Sequence, residues 1–206
     1  MGINDETKLL LHVCCAPCSG VIIERLLAQG VMPTVFFYNP NIFPLKEYLF
    51  RKDSIIKFAK KNSIPFVDTD YENSLWKSRV AGLDNEPERG RRCEKCFDIR
   101  LERTALYAHE NGFKAFATTN GMSRWKDLAQ VNLAGLKAAA RYPEVVFWDK
   151  NWRKNNGEAQ MYAIAKKEHF YRQEYCGCEF SLAAANALRQ KQGLPSIEPC
   201  ESSIYT

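Results

Sequence analysis

Leu9-Leu10-Leu11-His12-Val13, followed at once by Cys14-Cys15-Ala16-Pro17-Cys18, is the stretch that decides the fold. A short apolar run closed by a Pro-bearing break reads as a buried strand rather than a helix. From Gly20 to Gln29 the spacing turns helical, and Gly30 stands in the usual place past a helix end. The alternation then repeats. Thr34–Tyr38 reads as a second strand, broken by Asn39-Pro40-Asn41. A long helix follows from Leu45 to Asn62, with Leu49, Ile55, Ile56 and Phe58 in helical spacing, and Pro65–Asp68 reads as a third strand. The charged stretch Leu83–Arg92, with Pro87 and Gly90, reads as a loop. A helix from Glu94 to Asn111, a strand from Phe113 to Ala117, a small-residue loop over Thr118–Arg124 and a helix from Asp127 to Ala140 come next. Val145–Trp148 is the last strand, and Gln160–Lys167 and Ser181–Gln192 are the last helices. Gly193 and Pro195 stop the final helix, and residues 195–206 read as a peripheral tail.

Strands that alternate with helices predict an α/β fold: a single Rossmann-like domain whose parallel sheet of about five strands is flanked by helices, plus a C-terminal helical segment. Right-handed crossovers put all strand C-termini on one edge, and ligands bind there, near the switch in strand order. That rule brings distant loops together.

The 206 residues suffice for one real core. Apolar residues at 46% and charged residues at 26% exclude a disordered or fibrous chain. No apolar run is long enough to span a bilayer. The polar start from Met1 to Lys8 has no signal-peptide stretch, and Glu6 stands where a myristoylation motif at Gly2 needs Ser or Thr. The expectation is a cytoplasmic protein without a membrane partner. In that reducing compartment the eight cysteines are not expected to form disulfides. They read as metal ligands or catalytic thiols. A net charge of +5 permits RNA binding without requiring it.

Seven cysteines fall in three motifs: Cys14, Cys15 and Cys18 after the first strand, Cys93 and Cys96 beyond the basic loop, and Cys176-Gly177-Cys178 before the last helix. Cys200 stands alone and reads as incidental. Each motif has a plainer reading. Cys14 and Cys15 could be small buried residues, and Cys93 and Cys96 a redox pair. Together they read as metal ligands, with zinc and iron–sulfur the two choices. Seven thiolates oversupply one zinc, whereas a four-iron cluster takes four and leaves three for a second ion or a reactive thiol.

The strings LLHVCCAPCS (10–19), FFYNPNI (36–42), EPERGRRCEKCF (86–97) and YRQEYCGCEFSL (171–182) closely resemble the epoxyqueuosine reductases of the QueH family, in order from about residue 8 to residue 182. The resemblance implies a HUP-type sheet, shared with nucleotide hydrolases and transfer-RNA thiolases. It implies reduction of the epoxide of epoxyqueuosine, in the anticodon wobble nucleotide of tRNA, to the alkene of queuosine. It also implies a 4Fe-4S cluster and a further mononuclear iron. Cys15, Cys93, Cys96 and Cys176 are the expected cluster ligands, and Cys14, Cys18 and Cys178 those of the second iron. Exchanging Cys14 with Cys15, or Cys176 with Cys178, stays open. The loop Thr118–Lys126 departs from the Ser-Pro-Lys type expected of the family, being bulkier and more basic.

Deoxygenating an epoxide takes two electrons and two protons, so a redox cofactor is needed. No GxGxxG fingerprint for NAD or flavin is present, which points to an external electron donor. Tyr38 and Asp127 are the leading candidate proton donors, with His12 and Tyr175 also considered. Asn39 and Asn41 are candidates for binding the substrate's diol, and equally for turn residues. Arg92, Arg124, Trp125 and Arg172 complete the candidate substrate contacts. Arg89, Arg91, Lys126, Arg153 and Lys154, with Trp152, extend this into a candidate RNA surface. A tRNA thiolase needs a Gly- and Ser-rich phosphate loop where this chain has cysteines. A zinc-stabilised RNA-binding module is the non-enzyme alternative.

Overall fold

The computed structural model describes residues 7–198. Its centre is β1 (Leu9–His12), which pairs in parallel with β2 (Pro33–Phe37) on one side and β4 (Ala115–Thr118) on the other. β3 (Phe66–Asp68) and β5 (Val146–Phe147) complete a five-stranded parallel sheet of order β3-β2-β1-β4-β5. The strand order therefore reverses between β1 and β4, which opens a crevice at the C-terminal ends of these two strands. This is the α/β sheet expected from the alternating pattern.

Side chains along β1 alternate between two cores. Leu9 and Leu11 join the layer of α1 (Ala16–Leu27), α2 (Leu45–Lys61) and α6 (Gly157–Lys167). Leu10 joins the layer of α3 (Asn73–Arg79), α4 (Arg91–Glu110) and α5 (Leu128–Ala139). The last helix, α7 (Glu179–Lys191), lies by the strand C-terminal edge, where its residues line a cavity.

Several boundaries differ from the sequence reading for local reasons. α1 begins at Ala16 rather than Gly20, because Pro17 in the first turn needs no N–H partner and already has a helical φ. Cys18 is consequently helical. α4 starts at Arg91, so Cys93 and Cys96 lie within its first two turns. The short helix α3 was not anticipated, since Trp76 alone of its residues is buried and leaves no period to read. β5 shrinks to two residues at the sheet edge. The described part of the tail is exposed or half-buried. Arg189 donates to the Pro195 carbonyl and Ile197 N–H donates to Asn186, which folds 195–198 back on α7. Cys200 and residues 199–206 lie outside the described residues. Among the described residues, no helix is long and apolar enough to cross a membrane.

Gly135 fixes the distance of α5 from the sheet, since a Cβ there would run into the Phe147 ring. Gly→Ala inside a helix ordinarily gains up to about 1 kcal/mol, whereas overpacking costs about 1–3 kcal/mol. Gly135→Ala is therefore expected to lower the denaturant midpoint. A midpoint raised by the substitution would contradict this packing.

Candidate metal centre

All three cysteine motifs sit at helix N-termini. Cys15 is the N-cap of α1, Cys93 and Cys96 occupy the first turns of α4, and Cys178 is the N-cap of α7. Unpaired N–H groups and the helix dipole favour negative charge there and stabilise thiolates. The Cys14 and Cys15 sulfurs are 3.8 Å apart. With Cys18 they form a buried triad whose sulfurs all lie within 4.8 Å of one another.

Cys176 links this triad to the other motifs. A cavity of about 340 Å³ is lined by Cys14, Cys18 and Cys176, and a smaller neighbour by Cys93, Cys176 and Cys178. The motifs that are far apart in sequence thus share one edge of the sheet.

The thiols perturb one another. Hydrogen bonds from Cys15 and Cys18 hold the Cys14 thiol well below its usual range, aided by the charges of Lys126 and Arg100. The reciprocal bond to Cys14 pushes Cys15 up to about 11, and Cys18 rises well above the ordinary value for the same reason. Burial pushes Cys93 up to about 11 and Cys178 up to about 12. It also raises Cys96. Of the thiols shifted here, Cys14 is the one whose thiolate is favoured.

The surroundings are built for more negative charge than that. Arg100 is buried and donates to Asn39 Oδ1 (2.7 Å) and Asn120 Oδ1 (3.0 Å), but no carboxylate pairs with it among the described residues. Its Nε is buried without a partner. Lys126 is also buried, with Nζ 3.1 Å from Asn120 Oδ1 and 3.7 Å from Cys14 Sγ. Burial works against the ammonium, yet the Cys14 and Cys176 charges outweigh it and raise its pKa. N–H groups point at sulfur as well: Gln173 Nε2 at Cys15 (3.1 Å), Arg89 N at Cys93 (3.3 Å) and Ser181 N at Cys178 (3.4 Å). Soft sulfur donors with buried cations behind them fit an anionic thiolate-bound metal group.

The third motif is held from α2. Arg51 forms a buried ion pair with Glu47 at 2.7 Å and donates to the carbonyls of Cys176 (3.0 Å) and Tyr175 (3.2 Å). Tyr171 donates to the other Glu47 oxygen at 2.6 Å. Gly177 has φ 139°, and a Cβ there would lie 3.1 Å from Arg51 Nη1, so the turn requires glycine.

The other expected residues divide. Trp125 is exposed and lines both cavities. Arg124 lies beside it, stacked on its ring and 3.6 Å from Glu158. Arg92 lines the smaller cavity but is buried, donating to the carbonyls of Leu83 and Asp84. Asn39 donates to the Val13 carbonyl, and Asn41 is buried beside Gly177. Arg172 stacks on Tyr162 in a separate cavity on the α6 side. Tyr38 donates to Glu72 at 2.6 Å and lines neither cysteine cavity. Asp127 accepts from the N–H groups of Ala129 and Gln130 as the cap of α5. Tyr175 lines the large cavity, but its hydroxyl is committed to the Phe43 carbonyl. His12 is fully buried: its Nε2–H donates to the Tyr38 carbonyl, and its Nδ1 accepts from Thr118. Burial, with Arg100 nearby, lowers its pKa to about 3, which keeps it neutral. Within the candidate RNA surface, Lys126 and Trp152 are buried, and Arg153 donates to the carbonyls of Ser123 and Lys126.

Sequence reasoning missed Arg51, Arg100 and Gln173. A signal was present for two of them. Glu47 and Arg51 stand four apart on one helix, as do Cys96 and Arg100 on another, so each pair shares a face.

Fold and site together define an α/β protein with a doubly flanked parallel sheet and a cysteine-rich centre at its strand C-terminal edge. The likeness in fold extends to the U34-tRNA thiolase NcsA from Methanococcus maripaludis, solved with its 4Fe-4S cluster. That match has TM-score 0.56 and 12% identity, and covers 92% of this chain and 68% of that one. The family model for epoxyqueuosine reductase QueH matches residues 9–184. Over 195 residues the chain is 55% identical to the epoxyqueuosine reductase QueH of Acinetobacter baylyi, covering 95% of this chain and 89% of the relative. It is 54% identical to that of Haemophilus influenzae, covering 95% and 80%. The QueH of Thermotoga maritima is 36% identical, with 84% and 90% covered. The chain belongs to the QueH family of epoxyqueuosine reductases.

The Glu47–Arg51 pair makes a direct prediction. Arg51→Met leaves a buried carboxylate unpaired and should cost about 3–5 kcal/mol of stability in denaturant titration. Adding Glu47→Gln should recover part of that loss, because Tyr171 can still bond the amide. An Arg51→Met protein with an unchanged midpoint would contradict the burial of this pair.

Proposed function

We propose that the protein reduces the epoxide of epoxyqueuosine, in the tRNA anticodon wobble nucleotide, to the alkene of queuosine, as the last step of queuosine biosynthesis. Membership of the family supports the activity. The observation that carries the chemistry is the gathering of three cysteine motifs about two neighbouring cavities, the larger lined by Cys14, Cys18 and Cys176 and the smaller by Cys93, Cys176 and Cys178. Such an enzyme acts in the cytoplasm, with tRNA and an external low-potential electron donor as its partners.

The reaction breaks the epoxide C–O bonds, forms C=C, and takes up two electrons and two protons as the oxygen leaves as water. When bound, a 4Fe-4S cluster supplies electrons singly, and an adjacent iron supplies Lewis acidity toward oxygen. The chain does the rest. Trp125, exposed at the cavity wall, offers a stacking face to an extruded base. Arg91 and Arg124 are exposed, and their surface ion pairs with Glu86 and Glu158 can be exchanged for phosphates. Lys126 carries a proton into the cavity wall, where Asn120 orients its ammonium. Lys126 is our choice of proton donor over Tyr38, which lines neither cysteine cavity, while Asp127 lines the smaller one as the cap of α5. Lys126→Met is expected to lower turnover about 100-fold or more, with iron and sulfide retained. Turnover near the wild-type rate would remove Lys126 from this role.

Two divisions of the cysteines remain open to experiment. The family resemblance puts Cys15, Cys93, Cys96 and Cys176 on the cluster, and Cys14, Cys18 and Cys178 on the second iron. One distance favours another division. Thiolates bound tetrahedrally at about 2.3 Å lie roughly 3.8 Å apart, which is the Cys14–Cys15 separation of 3.8 Å. Cys14, Cys15 and Cys18 would then hold the single ion, and Cys93, Cys96, Cys176 and Cys178 the cluster. Cys178→Ala separates the two. Under the first division it loses only the single iron and keeps its acid-labile sulfide, whereas under the second it loses sulfide.

The activity itself is tested with the anaerobically purified chain, a one-electron reductant and an anticodon stem-loop carrying epoxyqueuosine. Queuosine detected by mass spectrometry is the expected product, and Cys93→Ala should abolish it. Full activity in Cys93→Ala would contradict the proposal.

A further inference from the structure

Trp76 is the one buried side chain of α3, and its indole Nε1–H lies in the core without completing a hydrogen bond. Packing alone does not account for an indole there. Phe would fill apolar space without carrying a donor into it, whereas a buried N–H is destabilising until it finds an acceptor. Arg100 Nε is a second buried donor in the same condition. Its Nη2 is already spent on Asn39 and Asn120.

The two donors have one sulfur in common. Cys96 is buried in the same core layer as Trp76, with Cys93, Cys178 and Phe180 packed against that layer. Arg100 stands one turn after Cys96 on α4, so the two share a face. The Trp76 ring lies 6.2 Å from that of Phe180, two residues after Cys178, which holds the indole against the segment of the third motif. Burial raises the Cys96 thiol, and the Arg100 charge and the Trp76 and Arg100 N–H groups oppose it. Both side chains thus approach this sulfur as donors, short of full hydrogen-bond geometry. A thiol sulfur is a weak acceptor, whereas an anionic one draws donors into shorter and stronger bonds. Cys96 becomes such an anion as a ligand of the four-iron cluster, and it is one in both divisions of the cysteines given above.

We propose that Trp76 Nε1 donates to the Cys96 thiolate of the bound cluster and thereby raises the reduction potential of that cluster, with Arg100 assisting from the next turn of α4. This assignment rests on the reductase reading. Hydrogen bonds and positive charge at a ligand sulfur stabilise the reduced cluster, which carries one more negative charge than the oxidised one. Trp76 is a positioning residue that acts through Cys96 and touches no substrate.

The test uses the full chain, prepared anaerobically with its iron and sulfide and grown with tryptophan isotope-labelled at the indole nitrogen. Pulsed EPR of the reduced cluster should show a coupling to the labelled nitrogen. Trp76→Phe should abolish it and Trp125→Phe should leave it in place, while Trp148 and Trp152 belong to the other core layer. In an EPR-monitored redox titration, Trp76→Phe should lower the reduced-to-oxidised ratio about 2- to 10-fold at the wild-type midpoint, as for one lost hydrogen bond. Iron and sulfide content should be unchanged. A Trp76 that only packs gives no coupling, so the label decides even if Trp76→Phe assembles no cluster. No coupling in the wild-type cluster, a coupling removed by Trp125→Phe, or a Trp76→Phe midpoint at or above that of the wild type would overturn the assignment. A wild-type chain without a four-iron signal counts against the reductase reading and the assignment together, whereas a cluster without the coupling counts against Trp76 alone.

Discussion

Negative charge on clustered sulfur must be stabilised inside a protein, and the architecture around the cysteines serves that need. A buried thiolate is costly unless donors and cations face it. The chain meets part of the cost by placing the motifs at the N-terminal ends of α1, α4 and α7, where the helix dipole favours negative charge, and in α7 Ser181 N–H donates to Cys178 Sγ. Arg100 and Lys126 add two buried cations, both anchored on Asn120 Oδ1 at 3.0 Å and 3.1 Å. Neither has a carboxylate partner among the described residues, so the sulfur is their counter-charge. The order of the sheet makes the meeting possible, because the crevice between β1 and β4 lies where the loops after both strands converge.

A second set of contacts holds the site in shape without touching its sulfur. Arg51 reaches the carbonyls of Tyr175 and Cys176 while paired with buried Glu47, which ties the last motif to α2. His12, neutral and bonded at both ring nitrogens, ties β1 to the end of β4 and to the backbone after β2. Asn39 bonds the Val13 carbonyl and receives Arg100, which couples the loop after β2 to α4. Asn39, a candidate substrate contact in the sequence, thus also takes part in the frame.

The alternation of apolar strands with periodic helices was legible, because β1, β2 and β4 are buried on both faces and flanked by clear breaks. α3 was not, since a seven-residue helix with one buried side chain has no periodicity to detect. The cysteine motifs were legible as one constellation, yet their location inside first helical turns was hidden by Pro17 and by the charged run before Cys93. Arg92, Lys126 and Trp152, read as surface from the sequence, are buried, and Arg153 is half-buried, for a physical reason. Charge alone does not reveal that a side chain's fork is filled by backbone carbonyls, as with Arg92 and Arg153, or that a lysine faces sulfur.

The central claim is that thiolates from three separate segments hold iron at one edge of the sheet. Mössbauer spectroscopy of the anaerobically purified, iron-enriched full chain tests it most directly. The account predicts the signal of a four-iron cubane together with a distinct single-iron component, both absent from a Cys93→Ala, Cys14→Ala double variant. A colourless protein that binds only zinc, or full iron signals in the double variant, would contradict it.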